Sequence, residues 1–235
     1  MKTSSLLGHS SELARIMVKS PLAPDAVAKQ FLREKKYIGS RERKAISEIT
    51  FTFLRLRYMA EACSPHDSSA AEQSDPLANE FAAVAASVAL AGHLPKLSDY
   101  SAQLLESIKY ASGSSAESLQ QLVNEAVADR FPAMAEASAF SATVIANFEA
   151  LDATADEIMA KHTAGSQLSE SELSTLASRF SAGTFFVAHL LENAQTPECV
   201  KNITEELFLP AKLCLRANSA LTSRDSLLAR LQAAG

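Results

Sequence analysis

The residue types able to perform covalent or metal chemistry are scattered through this chain in patterns that support neither. Five histidines, His9, His66, His93, His162 and His189, never fall at a metal-ligand spacing such as HxxxH, and no Ser-His-Asp set sits in a motif context. The three cysteines, Cys63, Cys199 and Cys214, are far apart and never form CxxC, which argues against a zinc site and against a disulfide framework. The seven glycines include no GxG that could cradle a phosphate. Solvated or core histidine, and cysteine as a small apolar residue, are the expected roles. No catalytic residue and no metal ligand is assigned.

What stands out is cationic. From Arg15 to Arg57 there are eleven Lys/Arg against four Asp/Glu (Asp25, Glu34, Glu42, Glu48), in a molecule of net charge −5. Concentrating one sign of charge costs self-repulsion unless it meets a polyanion, and RNA is the leading candidate for that polyanion. The residues expected to contact phosphate are Arg33, Lys35, Lys36, Arg41, Arg43, Lys44 and Arg55, with Arg15, Lys19 and Lys29 as weaker members. Competing structural roles are equally concrete: a solvated helical face for the group, an internal ion pair for Arg43 beside Glu42, and corner packing for Tyr37, whose ring could otherwise stack on an unpaired base.

These side chains must be positioned by helices. The chain has 235 residues, 47% of them apolar, with few glycines, prolines and aromatics, and Ala, Leu and Ser dominate, so a mainly α fold with a sizeable core is expected. Pro24-Asp25 opens a helix with Val27, Phe31 and Leu32 inward. Ser40 is the expected N-cap of the next, whose Ile46, Ile49, Phe53 and Leu56 mark one face while Arg41, Lys44 and Arg55 lie roughly opposite. Thr50 to Tyr58 also alternates as a strand would, but the helical period runs on from Ile46 without a turn signal.

Beyond this basic segment, a weak helical pattern spans Ser11 to Val18, and Ser64 to Pro76 reads as an exposed loop. Helices are expected at 77–91, 99–110, 116–130, 139–151, 155–161 and 169–180, with shorter ones at 185–191 and 198–207, and no fixed-period repeat is visible. Phe81 to Leu94 is apolar but is interrupted by Ser87, Gly92 and His93 and is too short to span a bilayer, so it reads as a buried helix. The first residues lack the charged and apolar regions of a signal peptide. A reducing, cytoplasmic setting is expected, with no membrane partner.

After Pro210 the texture changes. Lys212 to Asn218 alternates polar and apolar residues like a half-buried strand, and Ser223 to Gln232 resumes a helix. A solitary strand needs edge partners, which implies the start of a second domain continuing in a longer chain; an exposed edge at 212–218 could also pair two copies into a non-native dimer.

Two stretches carry a family resemblance. Residues 37–57, YIGSRERKAISEITFTFLRLR, resemble the N-terminal helical domain of the RsmB/Sun family of RNA cytosine-5 methyltransferases, itself related to the antitermination factor NusB. Tyr37, Gly39, Ser40, Arg41, Arg43, Leu54 and Arg55 match, and Glu42 stands where that family has Asp. Residues 210–231, PAKLCLRANSALTSRDSLLARL, look like the segment opening the family's RNA-binding subdomain, so by resemblance Arg216 and Asn218, on one side of the expected strand, belong to an RNA-facing subdomain; Asn218 could equally organise a turn. The resemblance implies a NusB-like helical bundle over 1–170, a helical connector over 171–209, and over 210–235 the truncated βα start of a ferredoxin-like RNA-binding subdomain. It implies ribosomal RNA as partner. It also implies a downstream catalytic domain that binds S-adenosylmethionine, so this chain holds no cofactor of its own and has no methyltransferase activity by itself. The competing classes are a free-standing NusB-like antitermination or RNA-binding factor and a helical protein-interaction scaffold.

Overall fold

A computed structural model describes residues 1–65, 77–132, 139–194, 196–210 and 224–234. Among them the protein is mainly α, with helices α1 (Thr3–Lys19), α2 (Pro24–Glu34), α3 (Ser40–Cys63), α4 (Ala78–Ala91), α5 (Ser98–Ser112), α6 (Leu119–Arg130), α7 (Phe140–Thr163), α8 (Glu170–Arg179), α9 (Thr184–Asn193), α10 (Pro197–Glu206) and α11 (Arg224–Ala234). No strand occurs among the described residues. The strand expected at 212–218, the dimer contact proposed for it, Arg216, Asn218 and Cys214 all lie outside them, as does most of the loop expected at 64–76.

The starts and stops follow local chemistry. Pro24 and Pro197 occupy the first helical position, where a missing N–H is harmless. Ser118 and Thr196 accept from backbone N–H groups of the first turns of α6 and α10, and Ser169 with Glu172 forms a reciprocal capping box for α8. Gly113 ends α5 in the left-handed region at φ 72°, which glycine adopts without a Cβ clash.

Three expectations are corrected. α1 begins at Thr3, not near Ser11, because Ser10 and Ser11 belong to its buried face: their hydroxyls donate to the carbonyls of Leu6 (2.8 Å) and Leu7 (2.7 Å), so polar residues stand where an apolar period would be sought. α7 runs unbroken through Asp152, where a separator is expected, because the region lacks Pro and Gly and a single Asp costs a helix only about 0.5 kcal/mol. The N-cap of α3 is Gly39, and Ser40 is already helical without a side-chain cap bond.

α4 is buried almost all round from Phe81 onward, as its Ala/Val/Leu-rich composition requires, with the Ser87 hydroxyl donating to the Val84 carbonyl, and it packs against α1, α3, α6 and α7. These helices with α2 and α5 enclose the main apolar core, in which Leu6, Leu7, Leu13, Ile46, Ile49, Leu56, Phe81, Leu90, Leu122 and Val144 are buried. A second cluster joins the C-terminal half of α7 (Ala155, Ile158, Met159) to α8, α9 and α10 through Leu176, Phe180, Val187 and Val200. α7 is thus shared, its first half in one core and its second half in the other, and beyond α10 Phe208 and Leu209 pack against the main core. Among the described residues no single helix is long and apolar enough to cross a membrane.

Candidate nucleic-acid interface

The basic side chains gather where α2 hands over to α3. Val27, Ala28 and Phe31 fix the buried face of α2, which leaves Lys29 and Arg33 on its solvent side. Lys36 and Tyr37 project from the corner itself, Ile38 plugs it into the core, and the first turn of α3 presents Arg41 and Lys44. Ile38 is buried because the chain must turn here with a side chain anchored inward, so its polar neighbours are forced outward.

The corner residues differ in what holds them. Lys35 Nζ lies 2.9 Å from Glu12 on α1 and 4.9 Å from the Phe31 ring centre. Burial would lower the Lys35 ammonium, but the Glu12 carboxylate outweighs it and holds its pKa above the ordinary value. His9, on the same stripe of α1, is pushed below the usual imidazole range by burial and then by the Lys35 charge, against the opposing pull of Glu12. Arg43 is half-buried and donates its Nε to the Ile38 carbonyl at 2.8 Å, so it braces the corner; the expected pairing with Glu42 is not formed. Lys44 is 72% exposed and lies 3.8 Å from Glu48. Among the described residues no carboxylate lies within ion-pair distance of Arg15, Lys19, Lys29, Arg33, Lys36 or Arg41.

Arg55 is elsewhere. It lies fourteen residues past Arg41 on α3, roughly 21 Å along the axis. There it sits in the seam with α5, its guanidinium 5.5 Å from the Tyr100 ring centre and within 3.4 Å of that hydroxyl, which also pairs with Thr52 Oγ1 at 2.7 Å. Arg41 makes the matching contact at the other end of the antiparallel seam, 4.1 Å over the Tyr110 ring. Sequence reasoning missed Tyr100, Tyr110 and Glu12, because nothing local in residues 15–57 reveals which helix lies opposite. Spacing alone does place Tyr100 and Tyr110 near the two ends of one helix.

The corner faces a molecule of opposite character. Residues 139–210, within which the whole second core lies, contain three Lys/Arg against ten Asp/Glu, so positive and negative charge are segregated along the chain. Among the described residues no group of His, Cys, Asp and Glu is arranged to hold a metal ion. A cavity of about 330 Å³ between α1, the α5–α6 turn and α6 is lined by Lys2, Ser4, Ser112, Gly113, Glu125 and Asp129. Hydrogen bonds from Ser4 and then Lys2 hold Asp129 below the usual carboxylate range.

Comparison with protein-family models, with curated proteins and with solved structures found no match to this chain.

Proposed function

We propose that this chain is the RNA-binding N-terminal region of a ribosomal RNA cytosine-5 methyltransferase of the RsmB/Sun type, working in the cytoplasm, with catalysis and S-adenosylmethionine binding assigned to a domain encoded downstream. Its task is positioning: phosphate contacts set where the substrate lies, and the catalytic domain selects the base. The observation that carries the reading is the set Arg33, Lys36 and Arg41, cations of one corner that no described carboxylate neutralises, within a segment bearing eleven Lys/Arg.

The direct experiment is retention of a ribosomal RNA fragment by the full chain at low salt. Retention, and its loss when Arg33, Lys36, Arg41 and Lys44 are reversed to Glu, supports the reading. Absence of retention, or indifference to the four reversals, returns the chain to a helical scaffold whose basic face only solubilises. A free-standing antitermination-like factor would bind RNA equally well, and the reading frame beyond residue 235 separates it: a glycine-rich cofactor turn and two cysteines are expected there.

A further inference from the structure

The two arginine–tyrosine contacts in the α3–α5 seam are built differently, and the difference points to a ligand. Tyr100 is half-buried and its hydroxyl is bonded to Thr52 and Arg55, so that pair is packing. Tyr110 is 64% exposed, Arg41 over it is exposed too, and among the described residues no hydrogen bond engages the Tyr110 hydroxyl. A guanidinium laid on a phenol ring is held flat, and an exposed one offers its outer face for stacking.

A second exposed ring stands close by. Tyr37, 69% exposed, is tilted 53° against His9 with ring centres 5.9 Å apart. α1 relates the two rings: the Met1 amino group lies 3.4 Å from the carbonyl of Ala111, next to Tyr110, and 3.8 Å from Glu42, while His9 lies six residues past Thr3, roughly 9 Å along the helix. Both rings therefore flank the first turn of α3, Tyr37 two residues before its N-cap Gly39 and Tyr110 beneath Arg41.

We propose that the Arg41–Tyr110 stack, with Tyr37 as a second platform, receives unpaired bases, so that the RNA bound at this corner is single-stranded loop and not duplex. This rests on the RNA-binding reading above and adds the class of RNA to it. Cations alone do not distinguish the two forms. Exposed planar groups do, because a base inside a duplex already has both faces stacked, whereas an unpaired base has a face to offer.

The test compares a hairpin RNA carrying an unpaired loop with a perfect duplex of equal length, each bound to the full chain at fixed salt and across a salt series. The expected result is tighter binding of the loop RNA. Tyr110→Leu should weaken loop binding about tenfold while leaving duplex binding and the salt slope unchanged, Arg41→Lys should weaken loop binding more than duplex binding, and Tyr110→Phe should retain the loop preference. Tyr58→Leu, at the far end of α3, serves as a control that changes neither. The chain has four tyrosines and no tryptophan, so quenching of tyrosine emission by loop RNA, reduced in Tyr110→Phe and Tyr37→Phe, reports stacking independently of affinity. Equal affinity for loop and duplex, or loop binding untouched by Arg41→Lys and Tyr110→Leu while the salt slope persists, overturns the stacking proposal and leaves the RNA reading standing. Absence of any RNA binding overturns both.

Discussion

Arg179 on α8 donates its Nε to the carboxylate of Asp152 on α7, and its Nη2 lies 3.8 Å from Glu205 on α10, so one cation ties three helices together. The side chain is almost wholly buried, with its guanidinium carbon 5.1 Å from the Phe148 ring centre and 5.9 Å from that of Phe180. Phe148 belongs to the main core and Phe180 to the second, so this residue sits at their junction.

The asymmetry of the pair gives the first expectation. Asp152→Ala leaves a buried guanidinium with only a distant partner and should cost about 3 kcal/mol, because an uncompensated buried charge is what makes such a break expensive. Arg179→Met removes that charge and leaves Asp152 and Glu205, both partly solvated, so its cost should be smaller. Urea denaturation of the two variants checks the order, and a larger loss for Arg179→Met would contradict it.

Cys63, the last residue of α3, is buried, and burial pushes its thiol up to about 11, against the pull of the Arg179 charge. Reaction with a thiol reagent at pH 8 should therefore spare Cys63 in the folded protein and reach it on unfolding, while the half-buried Cys199 reacts earlier. Mass mapping of the labelled residues reads this out.

Acid should weaken the packing of α1 against the basic corner. His9 has a folded pKa below its unfolded value of about 6.5. The unfolded chain thus binds the proton first, and the contribution of neutral His9 is full above that pH and is lost as pH falls from 6.5 through the lowered folded value. Thermal unfolding at pH 7.5 and 5.5 should show a smaller difference in Tm for His9→Gln than for the parent protein. An equal difference would assign the acid sensitivity to other groups.

Much of the architecture could be read from periodicity, since α2 to α6 and α8 to α11 all coincide with expected helices to within a few residues. The misses have physical causes. Ser10 and Ser11 sit on the buried face of α1 because their hydroxyls bond back to the preceding turn, so an apolar pattern could not reveal that helix to its start. Asp152 falls in the gap between the helices expected at 139–151 and 155–161, and inside α7 it is an acceptor for Arg179, a partner twenty-seven residues away. The site was legible as composition, not as geometry. The cations were evident, but which of them are braced (Arg43), paired (Lys35) or stacked (Arg41 and Arg55) depends on α1 and α5, whose register against α3 is tertiary information.

The salt dependence of RNA binding tests the central claim most directly. If the α2–α3 corner grips about four phosphates of single-stranded RNA, log K should fall against log salt with a slope of about −3, and Lys36→Gln should make it shallower by about 0.7. No binding at low salt, or a slope that stays the same when Arg33, Lys36, Arg41 and Lys44 are reversed to Glu, would contradict the account.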